Sequence, residues 1–326
     1  MTERVLVTGA TGFIGSSICR ALISHGHEVR ALHRQTSSLR ALQGIPVEFH
    51  VGDILEPDTL QQPLCDVDLV FHAAAQSAYW RHPELVRQTA AAGTGNVLRA
   101  AANAGVKRVV LTSSVAAMGV PRHDEYLTEE HTYNLPPKRF PYGYAKRESE
   151  LEALKYVDRG IEVVIVNPSV VIGPGDLNQI SGAMVTEAAR GWGFFWMDGG
   201  INVVHIDDVV AGHLAAARRG RSGERYILGG ENLSHHQVFS TLTEIAGRRA
   251  PWLKIPTRGI GPAAWLCDVL GKWLPLPFNG AQLRMTCEYL YCDTSKSKRE
   301  LNLSDPKPFR QAAQEAYDWY REHGYL

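Results

Sequence analysis

Eight residues near the start, Thr8-Gly9-Ala10-Thr11-Gly12-Phe13-Ile14-Gly15, constrain this chain more than any others. They lie between an apolar run, Val5-Leu6-Val7, and a helical pattern carried by Ile14, Ile18, Ala21 and Leu22 that stops at Gly26. Gly9 permits a tight turn, Gly12 lets the backbone approach a diphosphate, and Gly15 allows helix and strand to pack closely. The helix start that follows offers unpaired N–H groups and the positive end of a dipole, which suit an anion. A glycine triplet alone marks only a tight turn. With a strand before it and a helix after it, the turn is expected to bind a dinucleotide.

The rest of the first half repeats the alternation. Val29–Leu32, Val47–Val51, Leu69–Phe71, Val109–Leu111 and Val163–Val166 read as strands, with helices over Leu85–Ala104 and from Tyr142 to Tyr156. Strands apolar on both faces and separated by helices predict a parallel sheet covered on both sides. The expected fold class is therefore α/β, a Rossmann-type doubly wound parallel sheet with a smaller, mixed C-terminal lobe for substrate. Glycine and proline become frequent after Asn167, at Pro168, Gly173, Pro174 and Gly175. Residues 1–166 are expected to form the nucleotide-binding domain, and 203–228 to return to its sheet as strand, helix and strand. Residues 167–202 and 229–326 would make the substrate lobe.

Composition narrows the function. Lys plus Arg (34) cancels Asp plus Glu (34), so no global basic field gathers nucleic acid or anionic lipid. The five cysteines, Cys19, Cys65, Cys267, Cys287 and Cys292, are scattered without a CxxC pair. They predict neither a disulfide framework nor a zinc site, and no metal is expected; a reducing cytoplasm fits them. Met1-Thr2-Glu3-Arg4 leads straight into a strand, leaving no room for a signal peptide. The most apolar later stretch, Ile260 to Phe278, is interrupted by Asp268, Lys272, Pro275 and Pro277 and does not read as a membrane span.

An acidic residue closing the second strand would hold the ribose of NAD, yet no Asp or Glu occurs between Val29 and Glu48. Arg34 and Arg40 flank that position instead, and a guanidinium suits a 2′-phosphate, which favours NADP(H). Asp53, with Ile54 after the third strand, reads equally well as an adenine contact or as a turn residue. Pro141 marks a helix start, so Tyr142 and Lys146 fall four apart on one face. An ammonium near a phenol lowers its pKa and fits it for acid–base work. Ser113 and Ser114 end a strand at the sheet edge where ligands bind.

Together with His72-Ala73-Ala74-Ala75, Asn167-Pro168 through Gly175 and Val204 to Val209, these motifs resemble the extended short-chain dehydrogenases/reductases over essentially the whole chain. Within them the chain is most similar to the dihydroflavonol-reductase and 3β-hydroxysteroid-dehydrogenase-like branch, where Arg34 matches an arginine used for NADP. It is also similar to hopanoid-associated sugar epimerases across Glu224 to Ser234. The resemblance implies that Tyr142 donates or accepts the proton, Lys146 holds the nicotinamide ribose and Ser114 hydrogen-bonds the reacting oxygen. It places Ala73, Ala74 and Ala75 along the cofactor channel, with Pro168, Ser169 and Val170 supporting the nicotinamide. One departure is the asparagine many members carry before a Gly-Thr pair: here Ala90-Ala91-Ala92 precedes Gly93-Thr94.

Tyr79 and Trp80 lean toward substrate contact. Trp192, Phe194, Phe195, Trp196 and Met197 could wall an apolar pocket or pack as a strand. Asp207 and Asp208 are expected to brace backbone and cap a helix, and His235-His236 to lie on the surface. The expected activity is NADP(H)-dependent reduction of a small-molecule carbonyl. Alternatives are a nucleotide-sugar epimerase or dehydratase and a non-catalytic NADP sensor. Oligomeric state is left open, with a homodimer as one option.

Overall fold

The structure is a computed structural model that describes residues 2–75, 83–122, 124–270 and 280–326, without the side chains of 83–85, 268, 281 and 282. Tyr79, Trp80, Lys272, Pro275 and Pro277 lie outside the described residues. The first half yields six strands: β1 (Arg4–Thr8), β2 (Glu28–His33), β3 (Glu48–Val51), β4 (Leu69–His72), β5 (Arg108–Thr112) and β6 (Glu162–Pro168). The second half adds β7 (Val170–Ile172), β8 (Phe195–Trp196), β9 (Gly200–His205), β10 (Arg225–Leu228), β11 (Glu231–Ser234), β12 (Leu253–Lys254) and β13 (Tyr289–Leu290).

Among the described residues, seven strands form the main sheet in the order β10-β6-β5-β4-β1-β2-β3, with every neighbouring pair parallel. The two-residue period of a strand splits its side chains between two cores. Val5 and Val7 pack with Phe71, Val110 and the helices Phe13–Ser24 and Ile206–Arg219. Leu6 goes to the other face with Val70, Val109 and Leu111, under Val97, Leu98 and Ala153. β3 closes one edge and is covered on one face only, leaving Phe49 and Val51 exposed. The chain reverses direction between β1 and β4, and ligands bind at such a switch point beyond the strand ends.

Of residues 203–228, the helix Ile206–Arg219 and β10 lie on the main sheet, whereas β9 does not. β6 leaves that sheet at Pro168 and resumes after Ser169 as β7, which offers β9 a parallel edge (Val170 opposite Val203). β11 and β13 pair with β9 as well, completing a small mixed sheet. A third core of Ile172, Val203, Val238, Leu242, Phe309 and Tyr320 fills the space beneath it.

The start of the Ile206–Arg219 helix is capped by His205, whose Nδ1 accepts the Asp207 N–H. That fixes the tautomer, so Nε2 donates to Glu315, 2.9 Å away. Asp208 accepts the Lys307 N–H, and the Lys307 ammonium lies 2.7 Å from Asp207. Asp208 thus braces backbone, Asp207 pairs with a side chain, and neither provides the cap. His235 departs from its surface expectation: it is buried, its Nε2 faces the Thr286 carbonyl at 2.9 Å, and burial lowers its pKa. Neighbouring His236 packs edge-on against Trp196. All five cysteines are free thiols.

Candidate active site

The glycine turn folds as its spacing requires. Gly9 has φ +65, and a Cβ there would stand 2.6 Å from the Ala74 backbone nitrogen. A side chain would therefore push β1 and β4 apart at the switch point. The helix from Phe13 begins at Gly12 with no side-chain cap, so its first N–H groups point outward unpaired by any side chain.

A cavity of about 390 Å³ opens over this turn, a size ordinary for ligand clefts. Gly9, Thr11, Gly12, Phe13, Ile14 and Gly15 line its floor, and Arg34, Asp53 and Ile54 line one end. Ala73, Ala74 and Ala75 form a wall, with Ser114, Tyr142, Pro168 and Ser169 at the far end. Val170 does not line it: its side chain packs against the core of the small sheet, and Val171 lines the cavity instead. The reason is the break at Ser169, after which alternation along β7 turns the odd-numbered residue toward the cleft. Thr89, at the head of a five-residue π-helical turn ending at Gly93, also lines the cavity and was not signalled by any motif.

The residues present fit a dinucleotide. The uncapped helix start suits a diphosphate, and the buried Ser169 hydroxyl has no partner among the described residues. At the other end Arg34 is exposed, and its guanidinium makes no ion pair among the described residues. Among the described residues Asp53 is the one acid lining the cavity, and one of its oxygens accepts the Leu55 N–H at 2.9 Å as in a turn.

Tyr142 sits in the first turn of the Pro141–Leu154 helix. That helix start presses against the Val115–Met118 turn, because Gly143 has no Cβ to strike the Ala116 carbonyl. The close approach brings Tyr142 to the end of β5, where the Ser114 side chain caps the turn by accepting the Ala116 N–H. Lys146, one turn further on, is buried; its Nζ donates to the Thr112 carbonyl at 2.9 Å. It lines a small adjoining cavity together with Ala74, Ala75 and Tyr142. Burial lowers the Lys146 pKa to about 8, and the Glu150 carboxylate opposes that fall.

Glu150 is the group that reading the motifs missed. It is 1% exposed and accepts from Ser113 Oγ at 2.5 Å and Asn167 Nδ2 at 2.6 Å, with Arg225 Nη1 at 3.5 Å. Asn167 also donates to the Ser114 carbonyl at 3.0 Å, so one carboxylate steadies both serines and faces Lys146. Its signal was its spacing, four residues after Lys146 on one helix face. A second buried chain runs from the Ala74 N–H through Thr8 Oγ1, His72, Thr94 and Ser149. Burial and the Lys146 charge hold His72 down to about 3, so the imidazole is neutral and relays hydrogen bonds.

The segment Trp192–Met197 lines no part of the main cavity. Phe195 and Trp196 form β8, pairing with β12, and Trp192 is exposed. Arg190 is engaged with Glu187 and the Tyr325 carbonyl, away from the cleft.

A doubly wound sheet with a glycine turn, and a serine, tyrosine and lysine gathered at its switch point, defines a nicotinamide-dinucleotide-dependent enzyme. Residues 5–229 match the NAD dependent epimerase/dehydratase family, and the chain belongs to that family, within the extended short-chain dehydrogenases/reductases. It is 35% identical to a Synechocystis sp. protein that bears a dihydroflavonol 4-reductase name, across 100% of this chain and 97% of that one. It is 34% identical to sterol demethylase protein B of Methylococcus capsulatus, covering 98% of this chain and 99% of the relative. A dTDP-glucose 4,6-dehydratase from Streptomyces venezuelae, solved with NAD bound, superposes with a TM-score of 0.81 at 25% identity, covering 99% and 98%. Among the described residues, no helix is long and apolar enough to cross a membrane.

Proposed function

We propose that the protein is an NADP(H)-dependent carbonyl reductase, with the small sheet and its helices forming the substrate lobe. The observation that carries this reading is the meeting of Ser114 and Tyr142 at one end of a cleft whose other end holds Arg34. Bound NADPH supplies a hydride. The Tyr142 hydroxyl gives its proton to the carbonyl oxygen as that oxygen gains charge. Ser114 hydrogen-bonds the same oxygen and orients it. The Lys146 ammonium, buried beside the phenol's cleft, favours phenolate and so eases the proton's departure. An aldehyde or ketone reaching Tyr142 is reduced to the alcohol. The reading is of an enzyme of the cytoplasm.

Cofactor choice rests on Arg34 and on the lack of an acid at the end of β2. NADPH is expected to bind more tightly than NADH, and Arg34→Ala to lose about 1.5–3 kcal/mol of NADPH binding with little change for NADH. Titration calorimetry of both cofactors on both proteins checks it. Equal or tighter binding of NADH by the parent protein would show the Arg34 argument to be wrong.

The likeness to a dTDP-glucose dehydratase keeps a second reading in view, the nucleotide-sugar epimerase or dehydratase. A sugar diphosphate needs cations as it leaves water. Among the described residues lining the cleft, Arg34 is the only cation, and it sits at the glycine-turn end. UDP or dTDP at millimolar concentration is therefore expected to give no thermal shift once NADP is bound. A clear shift that vanishes on changing Arg190 or Arg284 would favour the epimerase.

A further inference from the structure

The charges of the whole chain cancel, but not locally. Among the described residues between Ile245 and Cys287 stand five cations (Arg248, Arg249, Lys254, Arg258 and Arg284) and a single acid, Asp268. The same residues carry Trp252 and Trp265. In the structure the centre of this stretch is the helix Ile260–Leu270. Ile260 and Ala264, one turn apart, are its buried contacts. On another face Trp265 and Val269, and beside them Leu266 and Leu270, form two i,i+4 pairs that are 65%, 37%, 48% and 37% exposed. A soluble helix turns such a stripe inward; this one turns it out.

The chain leading into that helix continues the pattern. Trp252 is 60% exposed and stacks on Phe194, which packs in turn on the equally exposed Trp192. Arg248 donates to the Ala189 carbonyl and Lys254 pairs with Asp198. Arg249 and Arg258 are exposed and form no ion pair among the described residues. Indole rings and unneutralised guanidinium groups are side chains that settle at the boundary between headgroups and acyl chains. The cations meet anionic headgroups, while the apolar stripe enters the region just beneath. Eleven helical residues reach only about 16 Å, half the hydrocarbon core, so the helix would lie in the surface and not cross it.

We propose that this face docks the protein on the surface of an anionic lipid bilayer. The proposal is independent of the reductase reading, because its test involves no catalysis. Full-length protein is sedimented with vesicles of phosphatidylcholine alone or mixed with phosphatidylglycerol, at low and high salt. Binding to the mixed vesicles is expected to exceed binding to the neutral ones by about tenfold and to fall with salt. Trp265→Glu, at an exposed position, should abolish sedimentation while the thermal shift given by NADP stays at the parent value. Arg249→Glu combined with Arg258→Glu should remove the dependence on anionic lipid. Three results would overturn the proposal: no sedimentation with the mixed vesicles, sedimentation unaltered in both variants, or a lipid-free dimer that Trp265→Glu converts to monomer. The last would assign the face to a second copy of this chain.

Discussion

Tyr142→Phe is expected to cut kcat/KM for carbonyl reduction by about 10²–10⁴ while leaving NADPH affinity within about twofold of the parent. The substitution removes one hydroxyl from a side chain lining the cleft and keeps the ring that packs on Phe140. It deletes the proton source and leaves the glycine turn and Arg34 in place. Lys146→Met should behave differently. It removes the buried ammonium and its bond to the Thr112 carbonyl, so cofactor binding should weaken along with turnover. Steady-state kinetics with NADPH, alongside fluorescence titration of NADPH, separates the two effects. A Tyr142→Phe protein that retains most of its turnover would falsify the assignment of Tyr142 as the acid.

Much of this arrangement was legible in the sequence, for reasons that can be located. β1, β4, β5 and β6 are covered on both faces, so each holds an unbroken run of three or four apolar residues that stands out. The glycine turn is local, since its φ angle, helix start and strand end all fall within eight residues. Val170 stands outside the cavity lining because the break at Ser169 resets the side-chain alternation, and no residue type announces such a break. His235 was misread for a related reason: the Thr286 carbonyl that receives its ring lies 51 residues away. β9 lies in the small sheet because β7 offers it an edge, and pairing preference between strands is a tertiary property. The aromatic segment Trp192–Met197 kept two readings open in sequence because strand and pocket wall use the same residues. Only the pairing of β8 with β12 decides between them.

Glu150 shows what reading by motif leaves out, and its replacement should have the largest effect on stability of any single change in the site. Glu150→Ala removes the acceptor for Ser113 and Asn167 and leaves the Arg225 guanidinium, mostly buried at 17% exposure, without its carboxylate. An unpaired buried charge with orphaned donors beside it should cost about 3–5 kcal/mol, read as a fall in the denaturant midpoint. Glu150→Gln should cost less, because an amide oxygen still accepts from both partners. It does, however, remove the negative charge that holds the Lys146 pKa up against burial, so that pKa should drop below about 8. The ammonium is the working form of Lys146, and activity is lost as pH rises through its pKa. The alkaline limb of the kcat/KM profile should therefore move to lower pH in Glu150→Gln, with the acidic limb unmoved. A purely structural Glu150 would lower the midpoint and leave that limb in place, and that outcome would remove Glu150 from any part in tuning Lys146.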